Sequence, residues 1–166
     1  MNRRLVAALI AGLSLLLITP STFAQSTPSP TTVGISAGLK DSPNTFTVPG
    51  TVSLPIWLTD QFVLAPELGF ISRENGQDAL SVGADGRFFF RQGRVAPYAG
   101  PGLRILNIEP PGPADGDSAL VLSGFGGAEY FLANGFSFSV EGRLEILTGD
   151  NTVVTTAGVV RATVYF

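Results

Sequence analysis

From residue 33 onward the chain alternates. Phe136, Phe138, Val140, Gly142, Leu144 and Ile146 share one parity, and Ser137, Ser139, Glu141, Arg143 and Glu145 share the other. An extended chain sends successive side chains to opposite faces, so this pattern describes a strand with one apolar and one polar face. A second stretch does the same, with Leu80, Val82, Ala84, Phe88 and Phe90 opposite Ser81, Asp85, Arg87 and Phe89. A third sets Phe62, Leu64, Pro66, Leu68 and Phe70 against Val63, Ala65, Glu67, Gly69 and Ile71. Eight strands are expected, over 33–39, 46–58, 61–73, 79–90, 95–107, 118–131, 136–147 and 153–166. Most exceed the usual globular strand of about 5–6 residues and reach the roughly 9–11 that a tilted membrane strand needs.

Alternation alone does not say which face is inside. A soluble barrel turns the apolar face inward; a membrane barrel turns it toward lipid and lines its lumen with the polar face. Two features favour the second arrangement. Tight turns at Thr59-Asp60, Arg91 to Arg94 and Leu132 to Gly135 alternate with longer polar links, as in membrane barrels with short periplasmic turns. Aromatic residues also gather near the short-turn ends. They are Trp57, Phe62, Phe88, Phe89, Phe90, Tyr98, Tyr130, Phe131, Phe136, Phe138, Tyr165 and Phe166. Strand direction alternates, so these rings fall on one rim, and an interfacial girdle is expected there, chiefly from Trp57, Phe62, Phe88, Phe90, Tyr130, Phe136, Phe138, Tyr165 and Phe166. The chain ends on Tyr165-Phe166, an aromatic terminus suited to a lipid–water boundary. Prolines oppose the scheme locally. Pro55 and Pro97 lie near turns, whereas Pro49, Pro66 and Pro101 require bulges or other irregularities, because a closed sheet has no free edge to place them on.

Residues 1–24 read as a secretory signal peptide. Asn2-Arg3-Arg4 is basic, Leu5 to Ile18 is almost wholly apolar, and Ala24 offers the small residue for cleavage. Residues 25–32 form a polar, proline-containing leader expected to be disordered, and 33–166 is one barrel domain. Without Arg3 and Arg4 the formal charge of −3 becomes −5. That balance argues against nucleic acid and against an anionic-lipid-binding surface. The absence of Cys excludes disulfides and thiolate metal sites.

With the polar face inward, the lumen receives Glu67, Asp85, Arg87, Arg104, Glu129, Glu141, Arg143, Glu145 and Arg161. An eight-stranded barrel is only wide enough for side chains to fill, so these charges are expected to pair and to close the lumen. Catalysis is not expected. The chain has no His, which removes the imidazole base and His-ligated metals. Asp115-Gly116-Asp117 has too few oxygen ligands for a recognised calcium loop, and Gly124, Gly126 and Gly127 lie in a strand rather than before a helix, so they are no phosphate cradle. No cofactor or metal is expected.

Several segments carry a family resemblance: Ala96-Pro97-Tyr98-Ala99-Gly100-Pro101-Gly102-Leu103, the glycine-rich run Gly124 to Leu132, Ser139-Val140-Glu141-Gly142-Arg143, and the terminal Tyr165-Phe166. Together the chain resembles the small eight-stranded outer-membrane barrels of the OmpA/OmpX-like superfamily. The resemblance implies an all-β, up-and-down transmembrane barrel in a bacterial outer membrane. It also implies insertion by the barrel-assembly machinery, with Tyr165 and Phe166 as its signal. The expectation is a monomeric, non-enzymatic, porin-like or envelope protein that contacts outer-membrane lipid and no nucleic acid. The alternative is a secreted, lipocalin-like soluble barrel with an apolar ligand inside. It requires Phe62, Leu64, Leu68, Val140, Leu144 and Ile146 within and Glu141, Arg143 and Glu145 in water.

Overall fold

The computed structural model describes residues 28, 31–41, 50–71, 78–109, 117–133, 135–149 and 152–166. The expected signal peptide, most of the leader, Pro49 and the Asp115-Gly116-Asp117 side chains lie outside the described residues.

Eight antiparallel strands close on themselves. They are β1 (Gly34–Asp41), β2 in two segments (Gly50–Ser53 and Ile56–Trp57), β3 (Phe62–Ile71), β4 (Asp78–Phe89), β5 (Val95–Glu109), β6 (Asp117–Ala133), β7 (Phe136–Thr148) and β8 (Thr152–Tyr165). Each pairs with its neighbours in sequence, and β1 pairs with β8 as well as β2. Every strand therefore has two partners, and the sheet has no edge to protect. The two ends of the barrel sequence meet at the seam, where Phe166 donates its amide to the Val33 carbonyl at 3.0 Å.

The register sets the barrel's shape. From Asp41 the cross-strand partners run through Gly158, Gly142, Gly126, Ala99, Phe88 and Phe62 to Leu58. The β1–β2 offset, with Ser36 opposite Ser53, then returns to the first strand at position 31. The stagger is thus ten residues, from 41 to 31. Stagger, tilt and radius are linked in a closed sheet; this one corresponds to a tilt of about 40° and a backbone radius of roughly 8 Å.

The described strand prolines are accommodated without slipping the register. Pro55 and Pro66 lie where β2 is interrupted, yet Ser53 opposite Glu67 and Ile56 opposite Leu64 keep the same offset. Each proline gives one bond and lacks its return. The Pro66 carbonyl accepts from Leu54 at 2.9 Å, and the Pro55 carbonyl accepts from Gly34 at 2.8 Å. The missing donors face different neighbours, so no single strand pair loses both. At Pro101 the β4–β5 ladder skips two positions between Asp85 opposite Gly102 and Phe88 opposite Ala99. Gly100 is required there, because a Cβ at that position would overlap the Gly86 carbonyl oxygen. Among the described residues, the register shifts in the β6–β7 pair between Phe131 and Ala133, at a turn.

The barrel is inverted relative to a soluble protein. Large apolar side chains such as Leu64, Leu68, Val140, Leu144 and Ile146 are exposed, with Leu144 at 50%. Glu141, Arg143 and Glu145 are 2%, 3% and 2% exposed. This is the reverse of what the soluble ligand-binding alternative requires. From Phe136 to Ile146 the outward face of β7 is uncharged. Those ten steps rise about 25 Å along the axis at the tilt above, close to the height of a membrane barrel's apolar band.

Candidate functional site: the lumen

The lumen is layered from the short-turn rim upward. Its floor is aromatic: Trp57 from β2, Phe89 from β4, Tyr98 from β5, Phe131 from β6 and Tyr165 from β8 are all buried. Trp57 stacks on Phe89 with ring centres 4.7 Å apart and meets Tyr165 edge-on at 6.4 Å, while Phe89 lies 5.1 Å from Tyr98. Such offset and edge contacts suit ring quadrupoles and bury large areas in little space.

These positions correct part of the expected girdle. Trp57 and Tyr165 point inward, as do Phe89, Tyr98 and Phe131. The reason is parity. Trp57 shares a face with Thr51, Ser53 and Pro55, and Tyr165 shares one with Arg161 and Thr163, all lumenal. Three consecutive rings at Phe88, Phe89 and Phe90 cannot all face lipid in a pleated strand, so Phe89 turns in. Phe88, Phe90, Phe138 and Phe166 are exposed, and Phe62, Tyr130 and Phe136 are half-buried on the outward face. Of the terminal pair, then, Phe166 alone faces outward.

Above the floor lie Arg87 and Glu129, both fully buried. The Arg87 guanidinium sits 5.6 Å from the centre of the Tyr98 ring. Glu129 accepts hydrogen bonds from Ser137 and from the Tyr165 hydroxyl, the latter at 2.8 Å.

The middle of the lumen is one connected ion-pair network. Arg161 reaches Glu67 at 3.1 Å, Glu141 at 3.0 Å and Asp85 at 3.5 Å. Arg143 pairs with Asp85 and Glu141. Arg104 reaches Glu145 at 2.9 Å, Glu67 at 3.0 Å and Asp85 at 3.5 Å. Tyr98 donates to Glu141 at 3.1 Å, tying the network to the floor. Glycines make the space: a Cβ at Gly38 would crowd the Arg161 side chain, and one at Gly102 would collide with the Asp85 carboxylate.

One member was not expected from the sequence. Lys40 is the last inward residue of β1 and bonds both oxygens of Glu145, at 2.6 and 2.7 Å. Its parity with Gly34, Ser36 and Gly38 on the small-polar face is the signal for it, and it lies one residue beyond the strand expected over 33–39. With Lys40 the lumen of the described residues holds five bases (Lys40, Arg87, Arg104, Arg143, Arg161) and five acids (Glu67, Asp85, Glu129, Glu141, Glu145). The enclosed charge sums to zero. Eight of the ten are joined by ion pairs, and Glu129 is held by the Ser137 and Tyr165 hydroxyls; charge balance with such bonds is the form in which buried charge is tolerated. Leu106 and Val121, with Ala79, Ile108 and Leu147 against them, close the series toward the long-loop rim.

Among the described residues no group of three His, Cys, Asp or Glu is arranged to hold a metal. The carboxylates of the network point at guanidinium, ammonium or hydroxyl groups.

No protein-family model matches the chain, and no curated protein does. Solved structures do. The N-terminal β-barrel domain of Pseudomonas aeruginosa OprF superposes with a TM-score of 0.61 at 18% identity, over 84% of this chain and 99% of that domain. Neisserial surface protein A (NspA) superposes with a TM-score of 0.50 at 14% identity, over 81% of this chain and 93% of its own. The chain has the fold of the small OmpA/OmpX-like eight-stranded outer-membrane barrels.

Proposed function

We propose that this chain is a non-enzymatic β-barrel of the bacterial outer membrane, exported by a cleaved signal peptide and inserted as a monomer by the barrel-assembly machinery. Its role in this reading is structural: it spans the bilayer and presents its long-loop rim at the cell surface. The observation that carries the reading is the inversion of the barrel. An uncharged apolar exterior about 25 Å tall surrounds ten buried, mutually neutralising charges. A water-soluble barrel so built would expose far more contiguous apolar surface than monomers tolerate.

The lumen is closed in this reading. Arg161 bridges carboxylates on β3, β4 and β7, so one cation ties opposite walls together, and the aromatic floor stands between the network and the short-turn rim. The network carboxylates Glu67, Asp85, Glu141 and Glu145 are each engaged by guanidinium or ammonium groups, which supports a structural rather than an acid–base role for them.

Cell fractionation and reconstitution test it. The protein is expected with outer membranes, to migrate differently on gels before and after boiling, and to give no steady conductance in planar bilayers. Recovery as free periplasmic protein would refute the membrane assignment. Stable single-channel currents would refute the closed lumen alone.

A further inference from the structure

The net charge of −5 argued against an anionic-lipid surface, but the fold separates that charge by location. The lumen takes five bases and five acids. Of the acids left, all but Asp60 belong, by sequence, to the long-loop rim or its connections. Of the bases left, two, Arg91 and Arg94, lie together on the β4–β5 turn at the other rim. Averaging over the chain hides a small basic surface.

We propose that the β4–β5 turn binds the phosphate of an anionic phospholipid in the leaflet at the short-turn rim. This rests on the membrane reading above and adds to it a lipid class and a place. Arg91 is exposed. The Arg94 guanidinium lies 5.0 Å from the centre of the Tyr130 ring, a cation–π contact that holds it against the barrel wall. The turn is tied to its neighbour, where the Gln92 side-chain amide donates to the Asp60 carbonyl, and Gly93 takes a positive φ of 141°. Just above the arginines, Phe88 and Phe90 meet edge-on with centres 5.9 Å apart, and both are exposed. Two cations on one turn, one of them packed on Tyr130, next to two exposed rings and an uncharged wall beyond, match a lipid whose phosphate is anionic and whose acyl chains lie along the strands. Arginine suits the task because its planar fork bonds two phosphate oxygens at once.

The test uses the whole mature protein in nanodiscs of phosphatidylcholine alone and of phosphatidylcholine with phosphatidylglycerol. Lipid retained after mild detergent extraction is counted by native mass spectrometry. The wild type is expected to retain phosphatidylglycerol above its bulk proportion. R91Q/R94Q should lose that preference by about five-fold per arginine, equivalent to about 1 kcal/mol each. R91K/R94K should keep part of it. Neither residue belongs to the lumen network, so heat-modifiable migration should be unchanged in both variants. Retention of the two lipids in bulk proportion by the wild type, or an undiminished preference in R91Q/R94Q, would overturn the proposal. A chain that enters neither nanodisc would overturn the membrane reading, and this inference with it.

Discussion

Arg161→Met asks whether the lumen is dry. The guanidinium touches Glu67, Glu141 and Asp85 at 3.1, 3.0 and 3.5 Å and is 2% exposed. Removing it leaves five acids facing four bases. Removing one partner of a buried ion pair costs about 3–5 kcal/mol, because an uncompensated charge stays behind. Each affected carboxylate keeps another base: Glu67 keeps Arg104, Glu141 keeps Arg143, and Asp85 keeps both. The lower end of the range applies, about 3 kcal/mol, or roughly two orders of magnitude in the folding equilibrium. Adding Glu67→Gln restores neutrality and should recover about half of the loss. The assay is reversible urea unfolding in lipid vesicles, followed by Trp57 emission. A loss under about 1 kcal/mol, eroded further by salt, is what an exposed pair gives. That result would mean the lumen is wet and not closed.

The other variants probe single features of the wall and seam. Leu144→Arg puts a charge in the middle of the outward face and should cost about 2–4 kcal/mol and lower the yield of inserted protein; unchanged folding in vesicles would show that this face does not meet hydrocarbon. Gly100→Ala drives a methyl into the Gly86 carbonyl and should cost more than the usual 1–3 kcal/mol of overpacking, because the obstacle is backbone; a wild-type urea midpoint would contradict the close approach. Tyr165→Phe deletes the 2.8 Å bond to Glu129 and leaves a buried carboxylate with one fewer donor; about 1–3 kcal/mol should be lost in the same titration, and no loss would mean that bond is not formed.

Much of this fold is legible because alternation is strict where one face is polar. The β7 run with Glu141, Arg143 and Glu145 reads directly as a strand, and all nine charges assigned inward are buried. Lys40 escapes because the inward face of β1 before it carries only Gly34, Ser36 and Gly38, so nothing on that face marks where the strand stops. Nearness to a turn or to the final residue places Trp57 and Tyr165 on the expected girdle, whereas their parity with Ser53 and Arg161 points inward; parity is the stronger physical constraint. The pairing pattern is beyond reach of local reading. Lys40 and Glu145 are 105 residues apart, and Arg161 and Glu67 are 94. Which charges meet depends on the ten-residue stagger, and that emerges only when eight strands close together.

The inversion itself has a direct optical test, because the chain has a single tryptophan and it lies inside. In vesicles of phospholipid brominated on the acyl chains, Trp57 emission should be nearly unquenched. The double variant Trp57→Phe/Leu144→Trp, which moves the indole to the outward face, should be strongly quenched. Equal quenching of the two, or quenching of Trp57 alone, would contradict a barrel that faces lipid with its apolar side and encloses its charges.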